Sequence, residues 1–127
     1  MKKCGNSLAI SSLSCETDFV TGTDQFRKFL NNLLDLTLEH KQNINISEYN
    51  DIRFKNRVDE KLMNLSINEG ITNLISNTQE NCKINFMEYI KFNPKDVFGY
   101  YLHLSPFQNI GVKAAYFVIL KHIYNIL

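Results

Sequence analysis

A chain of 127 residues is the size of one ordinary domain, long enough to bury a core. Its hydrophobic fraction of 44% and charged fraction of 21% exclude a disordered chain. The formal net charge is +1 with no block of like charges, so there is no electrostatic footprint for nucleic acid or an anionic membrane surface.

Three cysteines, Cys4, Cys15 and Cys82, form an odd set without CxxC spacing and fit a reducing compartment better than a disulfide framework. The longest strongly apolar run, AAYFVIL at 114–120, is too short to span a bilayer. The start, MKKCGNSLA, lacks the apolar core of a signal peptide, so a soluble intracellular protein is expected. Asn, Ile, Lys, Phe and Tyr are abundant while Trp is absent, which reads as codon bias in an AT-rich genome.

The first expected element is a strand over 8–14, with Leu8 and Ile10 on one face and Ala9 and Leu13 on the other. Over 23–40, Phe26, Phe29, Leu30, Leu33, Leu34 and Leu38 recur at helical spacing. Thr23 suits the N-cap of that helix, and Asp24 the positive end of its dipole. Residues 48–65 fit a broken helix through Tyr49, Ile52, Val58, Leu62 and Leu65. Ser66 and Glu69 form a capping box that opens a short helix carrying Ile67, Ile71, Leu74 and Ile75, weakened by Gly70.

From Cys82 the period changes to two: Cys82, Ile84, Phe86, Ile90 and Phe92 alternate with polar residues, as in a half-buried strand. Asn93-Pro94-Lys95-Asp96 reads as a turn, and segments 97–104 and 110–120 as a β-hairpin across SPFQN. The tail KHIYNIL is short and amphipathic. This order predicts an α+β domain in which helices cover one face of an antiparallel sheet of three or slightly more strands.

The candidate chemistry is sparse. Cys15 as a nucleophile would need His40 or His103 as its base, but no oxyanion hole accompanies it, and a buried thiol is the better reading. Zinc binding by Cys15, Cys82, His103 and His122 lacks the usual close ligand pair. Neither phosphate-loop pattern occurs, so no nucleotide cofactor is expected. The stretch CETDFV at 15–20 places Phe19 beside a carboxylate just before the long helix. Its ring either folds inward as packing or projects as an anchor for a partner. On the residues alone both readings stand.

CETDFV, with its preceding apolar strand GNSLAISSLSC and following helix, resembles the signature of the elongation factor Ts family. The later segments SINEGITNLISNTQENCKI and VFGYYLHLSPFQNIGVKAAYFVI resemble that family's capped helix and terminal strands, in the same order. The resemblance implies an α+β fold like the core of these factors, as a single module over 1–127 without the family's N-terminal ubiquitin-associated-like helical module. It also implies a guanine-nucleotide exchange factor, not an enzyme, acting on the GTPase elongation factor Tu. No cofactor or metal of its own is implied, and no nucleic-acid or membrane partner.

Carried over by motif, Asp18 and Phe19 would be the working pair, the ring entering an apolar pocket of the GTPase and disturbing its Mg²⁺ site. Thr17 would cap the turn that presents them. Val20 and Cys15 would pack inward, Gly22 would let the chain turn into the helix, and His103 would add a supporting contact. Minimal members of the family are homodimers, which makes self-association a further expectation. A structural or dimerisation module of the same fold without exchange activity is the alternative. A mitochondrion or another organelle of bacterial descent is the expected location, with bacterial cytoplasm as the alternative.

Overall fold

A computed structural model describes residues 1–55, 60–104, 109–111 and 113–119. Its elements in chain order are β1 (Lys2–Cys4), β2 (Ser7–Ser14), α1 (Asp18–Thr21), α2 (Asp24–His40), α3 (Ile67–Thr78), β3 (Lys83–Lys91), β4 (Val97–His103) and β5 (Lys113–Ile119). The expected α+β class is the observed one. The three-stranded antiparallel sheet is β1-β2-β3, however, and β4-β5 form a ladder of their own. Among the positions read from the sequence, Val58, 105–108, Val112, Leu120 and 121–127 lie outside the described residues.

Strand β1 has no alternation to announce it. It forms because Gly5, at φ +57, permits a two-residue return through Asn6 that sets Cys4 opposite Ser7. An ion pair between Lys2 and Asp35 then fastens it to α2.

Strand β2 follows the expected alternation. Leu8 pairs with Ile90, and both join Phe92, Phe98, Leu102 and Val118, so the β4-β5 hairpin packs on this face. Leu13 and Met87 face the other way, into the main core with Phe26, Phe29, Leu33 and Leu36 of α2. The sheet therefore lies between helices and hairpin.

Strand β3 corrects the single half-buried face expected for it. Ser12 pairs with Phe86 and Leu13 with Ile84, which leaves Asn85 as an extra residue in a β-bulge. A bulge of one residue exchanges faces, because side chains alternate with a period of two. Cys82 and Ile84 thus enter the helical core, whereas Phe86, Ile90 and Phe92 stand on the opposite face. Beyond the hairpin's cover Phe86 is left 41% exposed, and Met87 takes the buried place.

Helix α2 begins as expected: the Thr23 hydroxyl accepts from the Phe26 amide at 3.4 Å, and Asp24 in the first turn pairs with Arg27. The broken helix expected over 48–65 is instead irregular chain with two 3-10 turns, Ile46–Glu48 and Glu60–Leu62. The backbone pairs with itself here, Phe54 N–H donating to Leu65 O (2.9 Å) and Ile67 N–H to Ile52 O (3.1 Å). Those bonds use the groups a helix would need, and Tyr49, Phe54 and Leu62 are buried singly.

Ser66 and Glu69 close their capping box, with Glu69 N–H donating to Ser66 Oγ at 3.1 Å and Ser66 N–H to the Glu69 carboxylate at 3.3 Å. Gly70 has a packing reason. A Cβ there would lie 2.9 Å from a Phe54 ring carbon and 3.1 Å from one of Phe29. Overpacking of this kind costs about 1–3 kcal/mol, against roughly 1 kcal/mol of helix propensity gained. Gly70→Ala should therefore lower stability by about 1 kcal/mol net in urea unfolding, where an exposed helical glycine would show a gain.

Candidate functional site

The end of β2 leads into a single helical turn. Cys15 Sγ donates to Thr17 O at 3.0 Å, which folds the chain back at the strand end. Asp18–Thr21 form α1, and Thr21 Oγ1 donates to Asp18 O at 2.8 Å. The Val20 carbonyl accepts from both the N–H (3.0 Å) and the hydroxyl (2.7 Å) of Thr23, the residue that also caps α2. One threonine thus joins the short turn to the long helix.

Successive residues of a helical turn point about 100° apart, so this turn separates its neighbours sharply. Val20 is buried in the helical core. Phe19 beside it is 84% exposed, the most exposed large apolar side chain among the described residues. Of the two orientations open to Phe19 on the sequence, the structure has the outward one. Asp18 is exposed with it. Val20 contributes by anchoring the turn from below.

Thr17 occupies the N-cap position of α1, with φ −128 and ψ 153, but its side chain makes no capping bond. It is held by Glu80 instead: Thr17 N–H donates to Oε1 at 2.9 Å and Thr17 Oγ1–H to Oε2 at 2.6 Å. Nothing local in the sequence signals this pairing, because the partners lie 63 positions apart.

Gly22 is in the ordinary right-handed region at φ −82, where a Cβ would meet only the carbonyls of Phe19 and Asp18 at 3.6 and 3.8 Å. The turn does not need glycine there.

His103 lies on β4, exposed, with Nδ1 3.1 Å from the Tyr101 hydroxyl. Phe98 and Leu102 of its strand belong to the packing cluster on the far side of the sheet from Val20. Thr17, Asp18, Phe19 and Val20 thus form one contiguous feature, whereas His103 has its hydrogen bond within the hairpin, to Tyr101.

Burial raises the thiol pKa of Cys15, with backbone hydrogen bonding at Thr17 and Thr21 opposing the shift and Cys82 and Glu80 adding to it. Burial likewise raises that of Cys82. A catalytic thiolate requires the opposite shift. Among the described residues no three His, Cys, Asp or Glu side chains converge as metal ligands. No helix among them is long and apolar enough to cross a membrane.

Fold and site together define an α+β module that presents a carboxylate and an exposed aromatic ring on a braced turn. The family model described as Elongation factor TS matches residues 16–119, and the chain belongs to that family. It is similar to the elongation factor Ts of Limosilactobacillus reuteri (strain DSM 20016), with 29% identity over 99 residues, 78% of this chain. The same identity and coverage relate it to the protein of Limosilactobacillus reuteri subsp. reuteri (strain JCM 1112). The chain spans 31% of the length of these relatives. No solved structure gives a significant match.

Proposed function

We propose that this module promotes release of GDP from elongation factor Tu, with Asp18 and Phe19 as the residues that enter the GTPase. The observation that carries the reading is the ring of Phe19, held in solvent at 84% exposure between a tethered Thr17 and a buried Val20. Fully burying such a ring in a partner gains about 1.5–3 kcal/mol. The backbone turn that carries the ring is held beforehand, so docking need not order it. Asp18 supplies a polar contact at its edge, and His103 a separate contact from the hairpin.

No catalytic group is needed for this role. A factor that binds the nucleotide-free GTPase more tightly than the GDP-bound form weakens GDP binding by the same ratio. Each 1.4 kcal/mol of that preference is worth about tenfold. Disturbing the Mg²⁺ of the GTPase supplies it, because the phosphates lose their counter-charge. Capture of elongation factor Tu on the immobilised chain should be strong without nucleotide and weak in excess GDP. Equal capture in both conditions would rule out exchange.

A structural or dimerisation role without exchange is the second reading, favoured by one observation. The hairpin face turned away from the sheet exposes Val97, Tyr101 and Phe117. Sedimentation equilibrium, together with the capture experiment, separates the two. As a domain we read 1–127 as one core module of the family. The AT-biased composition favours an organelle of bacterial descent over bacterial cytoplasm.

A further inference from the structure

We infer that Glu80 is a positioning residue for Phe19: its carboxylate accepts from both hydrogen-bond donors of Thr17, the N–H and the hydroxyl, and so sets the direction in which the turn presents the ring. The inference rests on the exchange reading above.

A single helical turn has no stability of its own, since the cost of nucleation is never recovered by propagation. Helix α1 has four residues, and its N-cap side chain satisfies none of its free amides. The turn must be held from outside. On its C-terminal side Val20 lies in the core and its carbonyl receives two bonds from Thr23. On its N-terminal side the corresponding hold is the Glu80 carboxylate, which receives the N–H and the hydroxyl of Thr17. Bonds to an ionised acceptor are shorter and roughly twice as strong as neutral ones. Asp18 and Phe19 are the two residues left between these fixed points, and both are exposed.

The setting of Glu80 points the same way. Helix α3 ends at Thr78, and Gln79 follows in the left-handed region at φ 57, which redirects the chain so that Glu80 faces the end of β2. Glu80 N–H then donates to Thr78 Oγ1 at 3.4 Å, and Cys82 Sγ to Glu80 O at 3.6 Å. A carboxylate just past a helix C-terminus stands against the helix dipole. Residues that break a local preference are concentrated where function requires them, and here the compensation is the pair of bonds to Thr17. Glu80 bonds neither Asp18 nor Phe19, so its influence on the ring passes through Thr17.

The test compares the chain with its Glu80→Gln, Thr17→Val and double variants in two measurements. One is the rate of fluorescent-GDP release from elongation factor Tu, and the other is hydrogen exchange at the Thr17 amide. Glu80→Gln should lower stimulated release roughly tenfold, on the scale of a lost charge-assisted bond. The Thr17 amide should lose protection while amides of α3 and β3 keep theirs and the thermal midpoint stays put. The double variant should be slower than either single by less than the product of their effects, since both act on the same linkage. Thr17→Ser, which restores the hydroxyl, should recover the rate that Thr17→Val loses.

Stimulation at the parent rate by Glu80→Gln, with Phe19→Ala inactive, would overturn the positioning role and leave the exchange reading intact. A parent chain that stimulates no release overturns the exchange reading itself. In that case the Thr17 amide alone reports whether Glu80 holds the turn.

Discussion

Phe19→Ala should remove stimulated GDP release from elongation factor Tu and leave the thermal midpoint of the chain unchanged. The two halves of that result have separate causes. The ring is 84% exposed, so truncating it opens no cavity and removes no core contact. The turn is held by its neighbours Thr17 and Val20, through Glu80 and the core, and does not depend on the ring. In a complex, by contrast, an aromatic side chain that fills a pocket belongs to the few residues that carry most of the binding energy. Losing about 2–4 kcal/mol of preference for the nucleotide-free GTPase slows exchange by roughly 30- to 1000-fold. Fluorescent-GDP dissociation measures the first half and thermal unfolding the second. Release at the parent rate would remove Phe19 from the mechanism, and a lowered midpoint would mean that the ring packs on this chain after all.

What could be read from the sequence was local. The N-cap at Thr23, the capping box of Ser66 and Glu69, and the two faces of 8–14 all depend on residues within four positions of one another. Their periodicity or reach is set by the backbone, so the residues announce them. Strand β1 was hidden because three residues are too few to show a period, and its existence depends on the left-handed Gly5. The bulge at Asn85 was hidden more thoroughly. Cys82, Ile84, Phe86, Ile90 and Phe92 form an unbroken alternation in sequence, yet one inserted residue divides them between two cores.

The candidate site divides along the same line. CETDFV could be recognised as a motif, but the residues alone left Phe19 equally able to turn inward or outward. Two facts beyond the local sequence decide it, the burial of Val20 and the grip of Glu80 on Thr17 across 63 positions. The second is a tertiary contact with no periodic signature. The family resemblance supplied the outward orientation, and the packing supplies its cause.

The largest loss of stability is expected for Phe54→Ala, at about 3–5 kcal/mol by urea unfolding. Phe54 is fully buried, its ring set edge-on to Phe29 of α2 with centroids 6.1 Å apart and an interplanar angle of 61°. The same ring lies under Gly70 of α3, so it is the side chain around which both long helices close. It also fastens the irregular chain between them, through Phe54 N–H to Leu65 O at 2.9 Å and Asn64 N–H to Phe54 O at 2.8 Å. Those backbone bonds remain in the variant, which limits how far the segment can collapse into the space left by the ring. Typical domains have about 5–15 kcal/mol in total, so the loss takes from roughly a fifth of the stability to all of it. Unfolding should free α3 with it, and Glu80 rides on the end of that helix. Where the variant stays folded at low temperature, its exchange activity should persist, because Phe19 is exposed and the bonds between Thr17 and Glu80 do not involve Phe54. A change below 1 kcal/mol would show that the space refills and that the ring is not the centre of the core.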